Sequence, residues 1–237
     1  MSGMFGSLLK DDVKISFVGP SGTGKSLTRR VVQSATGAEG LSCGDFMRKH
    51  VEEKYHVDLD QYTGKITADD DRQVDERAIH WLMKAGSKVI DGRTPSMFLF
   101  AMEERGILPV NSTLRIFVDC DRGVRARRAL PKFRRKPGLE DIKVEEVMEL
   151  QAQRDEIDEK RLIEIWRNEY GLKSREGLYG VPRPNNMSIN TVEMTPEKTL
   201  FAILSRLTVI SSLNVTSFPL AYLNGLVAIR DEMKPKS

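Results

Sequence analysis

The stretch Val13-Lys-Ile-Ser-Phe-Val18, running directly into Gly19-Pro-Ser-Gly-Thr-Gly-Lys-Ser26, decides how this chain is read. Its first half is β-branched and aromatic, as in a buried strand, and the run from Lys25 to Ala35 is helix-like and stops at Gly37. Strand, glycine loop and helix form the context in which G-x-x-x-x-G-K-[ST] makes a phosphate cradle. The glycines let successive backbone N–H groups turn inward around an anion, and the positive end of the helix points at the same place. The cradle comprises Gly19, Pro20, Ser21, Gly22, Thr23, Gly24, Lys25 and Ser26, with Leu27 as the next residue of the segment. Lys25 is expected on the β- and γ-phosphates of a nucleoside triphosphate and the Ser26 hydroxyl on Mg²⁺, so ATP and Mg²⁺ are the expected cofactors.

Outward from this loop, apolar runs recur at Lys88–Ile90 and Leu114–Val118, each ending in an acidic residue and each preceded by helix-like sequence. The alternation predicts an α/β fold, a parallel sheet with helices on both faces. Segment 69–86 reads as a helix, with Val74, Ile79, Leu82 and Met83 on its apolar side and Gly86 as its stop. Residues 140–169 read as one or two long charged helices, Asn185–Thr191 as a weak last strand, and Thr195-Pro196-Glu197 as a helix start. A single domain over 1–237 is expected, with a core of about 13–204 and a C-terminal extension at 207–237. That extension reads as a docked helix or a partner surface, which would leave oligomers open.

With 237 residues the chain is long enough for a real core, and 40% hydrophobic and 30% charged residues exclude collagen-like and wholly disordered classes. Net charge is 37 − 34 = +3, too small to demand nucleic acid or an acidic membrane by itself. Cys43 and Cys120 are far apart without metal-ligand spacing, which suits a reducing compartment. No export or membrane-spanning run is seen, so the expected location is cytoplasmic. His50, His56 and His80 lack catalytic partners in sequence and read as surface or satisfied histidines, while Trp81, Met83, Met97, Met102 and Trp166 read as packing residues.

A second anion site is expected beside the first. Gly44-Asp45-Phe-Met-Arg48 puts an arginine one helical turn past a glycine, and Asp91-Gly92-Arg93 sits at the carboxyl end of a strand, where ligands of open α/β sheets collect. Arginine clamps a phosphate bidentately, and Asp91 is placed to hold a water on Mg²⁺. Arg122, Arg125, Arg127, Arg128, Arg134 and Arg135 then fall within fourteen residues, with Lys132 and Lys136 among them. So dense a block suits a lid that closes over a triphosphate, although a solvated face or an RNA-binding patch fits the same composition. Arg154, Asp158 and Arg161 share one helical face.

Taken in order, GPSGTGKS at 19–26, S-x-G-D-x-x-R at Ser42–Arg48, DRQVDER at Asp71–Arg77, VIDGR at 89–93, QRDEIDEKR at 153–161, NEYG at 168–171 and SINT at 188–191 resemble the cytidylate kinase family, in its short archaeal-type branch. The resemblance spans about Val13 to Leu204 and implies a P-loop nucleoside monophosphate kinase with an acceptor-binding segment at about 42–86 and an arginine-rich lid at about 122–161. It implies ATP-dependent transfer to CMP or dCMP. Lys25 would hold donor phosphates, with Asp45, Arg48, Asp75, Asp91, Gly92 and Arg93 on the acceptor side. Arg128 would lie near the donor base and, with Arg154 and Arg161, serve the transferred group; Asp155 and Asp158 would position the acceptor sugar or those arginines. The chain departs from the family in carrying Asp91 where glutamate is frequent and Asn185-Asn186 where an aspartate is common. Two other readings stay open: a P-loop kinase for a different small acceptor, and an ATP-binding module with an RNA-binding or regulatory role.

Overall fold

A computed structural model describes residues 8–9, 12–57, 59, 65–109, 112–170, 186–210 and 213–234, with 166–170 described at the level of the backbone. The expected features at Lys173–Pro184 and Asn185 lie outside these residues. Strand β1 (Lys14–Val18) is buried throughout and leads through the glycine loop into α1 (Lys25–Thr36). There follow β2 (Glu39–Ser42), α2 (Cys43–Tyr55), α3 (Ala68–Leu82), β3 (Lys88–Gly92), α4 (Pro95–Glu104) and β4 (Thr113–Asp119). The chain continues through α5 (Arg122–Phe133), α6 (Val144–Tyr170), β5 (Met187–Asn190), α7 (Pro196–Val209) and α8 (Phe218–Glu232).

The five strands pair in parallel in the order β2-β3-β1-β4-β5, the α/β architecture expected from the alternation. Register places Val18 opposite Gly92, so the loops leaving β1 and β3 open on the same edge of the sheet. Side chains alternate across the strands. Ile15, Phe17, Val89, Leu114, Ile116 and Val118 pack with α1, α7 and α8, while Ile90 faces a second cluster built from α3, α4 and α6. Ser16 turns to that second side and its hydroxyl meets Ser96 Oγ at 2.9 Å, which satisfies both buried hydroxyls.

Two differences from the sequence expectation have tertiary causes. Strand β2, Glu-Gly-Leu-Ser, carries no apolar alternation; it forms because β3 has a free edge, and a Glu39–Lys88 pair at 2.6 Å ties the two strands. Helix α3 stops at Leu82 rather than running to Gly86, and Met83 is left half exposed instead of packing. Lys14 Nζ donates to the carbonyls of Lys84 (3.3 Å) and Gly86 (2.8 Å), which draws the chain back toward β3. Residues 144–170 form one helix, whose Leu162 and Ile165 join the second core while its first turns close with α5 over a small cluster of Ala126, Ile142 and Val147.

The extension beyond Leu207 is a docked helix. Helix α8 lies along α1, with Ala221 and Ile229 in the main core and Arg30 holding Glu232 through two hydrogen bonds of 2.5 and 2.7 Å. A Cβ on Gly225 would overlap Leu200 and crowd Ala35, so the glycine sets the distance of closest approach. Among the described residues no helix is long and apolar enough to cross a membrane.

Helices α2 and α3 are locked by one carboxylate. Asp70 is fully buried and accepts from His50 Nε2 (2.8 Å), Lys54 Nζ (2.9 Å), Tyr55 Oη (2.9 Å) and the Thr67 hydroxyl (2.8 Å), while Thr67 and Asp70 form a capping box at the start of α3. Burial pushes the Asp70 carboxyl up, but these hydrogen bonds outweigh it and hold the group well below the usual carboxylate range. His50 is thus a satisfied buried histidine, as expected.

Two outcomes follow from this packing. Gly225→Val should lower unfolding free energy by about 2 kcal/mol through overpacking at α8, read from urea titration. A folded-state pKa below the unfolded one contributes stability above about pH 4 that disappears as pH falls. Asp70→Asn should therefore be less stable than the parent by about 2 kcal/mol at neutral pH, and the gap should narrow on acidification in parallel urea titrations.

Candidate functional site

The loop between β1 and α1 has the geometry of an anion cradle. Gly19 has φ 141° and a Cβ there would strike the Val118 carbonyl, while Gly24 reaches φ 95° as it turns into α1; both conformations need glycine. Thr23 Oγ1 ties back to the Pro20 carbonyl at 3.1 Å, and Thr191, just past β5, donates to the Thr23 carbonyl at 2.9 Å. Lys25 heads the helix and its ammonium donates to the Pro20 carbonyl at 2.5 Å. Burial, reinforced by Arg93, pulls the Lys25 pKa down to about 7 against the pull of Asp91. Ser26 Oγ donates to Asp91 Oδ2 at 2.7 Å. Leu27 packs with its apolar neighbours rather than facing the loop's anion site.

Beside the loop opens a cleft of about 220 Å³ lined by Lys25, Ser26, Arg48, Arg93, Arg154 and Arg161, among others. Arg48 comes from α2, Arg93 from the turn after β3, and Arg154 and Arg161 from α6. Gly92 belongs to this floor because a Cβ would meet Cys43 and Pro95 at 2.9 Å. Asp75, buried on α3, accepts from the Thr94 hydroxyl at 2.7 Å and lines the same cleft.

The guanidiniums are laced with carboxylates. Asp158 meets Arg93 at 2.7 Å and Arg161 at 2.9 Å and lies 3.5 Å from Arg154. Arg161 also pairs with Asp71, whose carboxyl is pushed up by burial despite the partner. Asp155 bridges Arg93 at 3.4 Å and Arg125, and Arg125 Nε donates to the Ser21 carbonyl of the glycine loop at 2.7 Å. Burial raises the Cys43 thiol well above its ordinary range, so the cleft's sulfur is a neutral packing group.

The structure therefore brings together Lys25, Ser26, Arg48, Asp75, Asp91, Gly92, Arg93, Arg154, Asp158 and Arg161. Three expected residues stand elsewhere. Asp45 is exposed and lies outside the cleft lining, where it pairs with Arg48 one turn along α2. Asp155 acts on arginines from beside the cleft. Arg128, expected near the donor base, does not join Arg154 and Arg161; its guanidinium holds the Thr191 hydroxyl and carbonyl, each at 3.0 Å, at a separate apolar pocket beside Gly24 of the glycine loop. Asn186 is structural, bonding the backbone of Thr113 (3.1 Å) and Arg115 (2.8 Å) to seat β5 on β4.

Two contributors were not singled out by sequence. Arg29 pairs with Asp91 at 2.7 Å from one turn beyond Lys25, and Arg125 was one arginine among six. Arg29 sits i+4 from Lys25 on the same helix face, a spacing that marks it in retrospect. Ser26 and Asp91 together offer hard oxygen donors 2.7 Å apart, a set that suits Mg²⁺ with waters and phosphate oxygens completing the shell. Among the described residues no group of three or more His, Cys, Asp or Glu is placed to hold a metal on its own.

No curated protein matches the chain. Among solved structures, shikimate kinase from Bacteroides thetaiotaomicron superposes with a TM-score of 0.51 at 13% identity, covering 85% of this chain and 99% of that one. An uncharacterized protein from Eubacterium ventriosum gives 0.49 at 14% identity over 84% and 99% of the two chains. A putative kinase from Chloroflexus aurantiacus gives 0.46 at 15% over 83% and 97%. The first of these shares the α/β P-loop fold. A family model described as an AAA domain matches residues 18–147, from the last residue of β1 through the glycine loop and the Arg93 turn into α6, and on that match over more than half its length the chain belongs to the AAA_17 family.

Proposed function

We propose that this protein is an ATP-dependent nucleoside monophosphate kinase that transfers the γ-phosphoryl group of ATP to CMP or dCMP, giving ADP and CDP or dCDP. The observation that carries the reading is the convergence of Arg48, Arg93, Arg154 and Arg161, from three separate parts of the chain, on one cleft that also holds Lys25 and Ser26. Joining two phosphate groups end to end requires positive charge on both sides of the bond being made, and such charge is concentrated here. The segments that resemble cytidylate kinases meet in the same cleft: Ser42 and Arg48, Asp71 and Asp75, Asp91 to Arg93, and Arg154, Asp158 and Arg161.

The chemistry asks little of the protein beyond alignment and charge. Lys25 holds the donor phosphates, and the loop N–H groups hold their oxygens. Arg93, with Arg48, orients the acceptor phosphate, which arrives already ionised and needs no base. The residues agree with this division of labour, since Asp91 and Asp158 are each occupied by guanidinium groups. Ser26, and Asp91 through water, would hold Mg²⁺, which would supply neutralisation of the donor phosphate charge. The expected lid at about 122–161 carries Arg125 to the Ser21 carbonyl of the loop and Arg154 to the cleft, and excludes water when closed.

An RNA-binding role for the 122–136 block is less well supported. Arg125 is buried against Ser21 and Asp155, and Arg128 and Arg134 are bonded to Thr191 and Ile142.

The decisive measurement is coupled ADP release with ATP and Mg²⁺ against a panel of CMP, dCMP, other nucleoside monophosphates, shikimate and simple sugars. Release with CMP or dCMP is expected; release only with another acceptor moves the activity to that class. Arg93→Ala should raise the acceptor KM at least tenfold, the scale of about 1.4 kcal/mol of lost binding, and an unchanged KM refutes its placement. A second outcome concerns protons. Lys25 has a pKa of about 7 in the free protein, and a triphosphate beside it favours the ammonium. ATP binding at about pH 8 should therefore take up close to one proton, and affinity should fall as pH rises above 7. Calorimetry in buffers of different ionisation enthalpy reads this directly, and zero uptake contradicts it.

A further inference from the structure

We infer that the C-terminal helix is part of the donor site, with Met233 forming a wall of the pocket that receives the donor's base. The inference rests on the phosphotransfer reading only in placing a nucleoside triphosphate at the glycine loop. Next to that loop lies a pocket of about 350 Å³ whose lining includes Gly24, Leu27, Arg128, Met194, Pro196 and Met233. Gly24 belongs both to the phosphate cradle and to this pocket, so a ligand whose phosphates fill the cradle continues into an apolar chamber suited to a flat heterocycle.

Met233 is the residue that α8 brings to this chamber. It is 65% exposed although it lines the pocket, so a thioether stands against water in the free protein and would be covered by a base. Two ties fix its position. The Met233 N–H donates to the Ile229 carbonyl at 3.0 Å, continuing the helical hydrogen-bonding of α8. Glu232, immediately before it, takes two hydrogen bonds from Arg30, and Arg30 belongs to α1, the helix that carries Lys25 and Ser26 at its head. Hydrogen bonding and the Glu232 charge raise the Arg30 pKa further against its partial burial. Gly225 allows α8 to approach Leu200 and Ala35 closely enough for this register. A soft sulfur against an aromatic ring gives favourable contact without reading hydrogen-bond edges. This wall therefore adds affinity through area, for which a purine offers more than a pyrimidine.

The test uses the full-length protein with Mg²⁺, titrated calorimetrically with ATP and with inorganic tripolyphosphate, which fills the cradle but has no base. Met233→Ala should weaken ATP about three- to tenfold, the scale of a few lost methylene-sized contacts, with tripolyphosphate affinity changed less than twofold. Met233→Leu, which keeps the volume, should retain ATP affinity. Glu232→Gln should weaken ATP in the same direction but less, because the helix end loses its ionic tie to α1. Equal loss for both ligands, or no loss in Met233→Ala, overturns the assignment while leaving the phosphate cradle standing. If the parent protein binds tripolyphosphate as well as it binds ATP, the base pocket is not used and the assignment also falls. If the parent binds neither, the phosphotransfer reading itself is lost, and this inference with it.

Discussion

Like charges held close together are the constraint on which this structure depends. A cleft that grips polyphosphate must gather ammonium and guanidinium groups at distances where, at the effective dielectric of a protein surface, each pair repels by several kcal/mol (about 4 kcal/mol for two charges 4 Å apart). The fold answers with internal counterions. Asp158 is shared among Arg93, Arg154 and Arg161, Asp155 joins Arg93 to Arg125, Asp71 holds Arg161, and Asp91 holds Arg29. Where no carboxylate is bonded directly, the cost shows: Lys25 carries a depressed pKa, through burial first and then the field of Arg93. The same lattice explains the alternating charge of α6, whose acidic residues are as much a part of the site as its arginines.

The cleft is assembled by elements from both faces of the sheet. On one side α1, α7 and α8 pack as a block against Ile15, Phe17 and the β4 side chains, so the glycine loop emerges from a rigid support. On the other, α3, α4 and the distal part of α6 share a second core that places Asp71, Asp75 and Arg161. Asp70 fastens α2 to α3 and so fixes Arg48 relative to that core. The proximal part of α6 packs with α5 in a small separate cluster.

Much of this was legible in the linear chain because it depends on local rules. The β-branched run before Gly19 and the helix after it required only neighbouring residues, and the alternation of apolar runs required only periodicity. Strand β2 was missed because Glu-Gly-Leu-Ser has no pattern of its own and exists through its pairing with β3. The end of α3 was misplaced because Lys14, far away in sequence, captures the carbonyls beyond Leu82. Arg128 and Arg125 illustrate the same limit: one turn apart on α5, they serve different chambers, which follows only from where α5 sits against the loop.

By itself the sequence determined the phosphate loop, the α/β class and the stock of arginines, since each is written in contiguous residues whose conformational preferences act over a few positions. Tertiary structure alone decided which arginines share a cleft, which carboxylates neutralise them, and that the last helix returns to brace α1 and bring Met233 to the pocket that Gly24 also lines. Those relations join residues as many as 202 positions apart in the chain, and only burial of apolar faces on the two sides of one sheet brings such distant groups within reach.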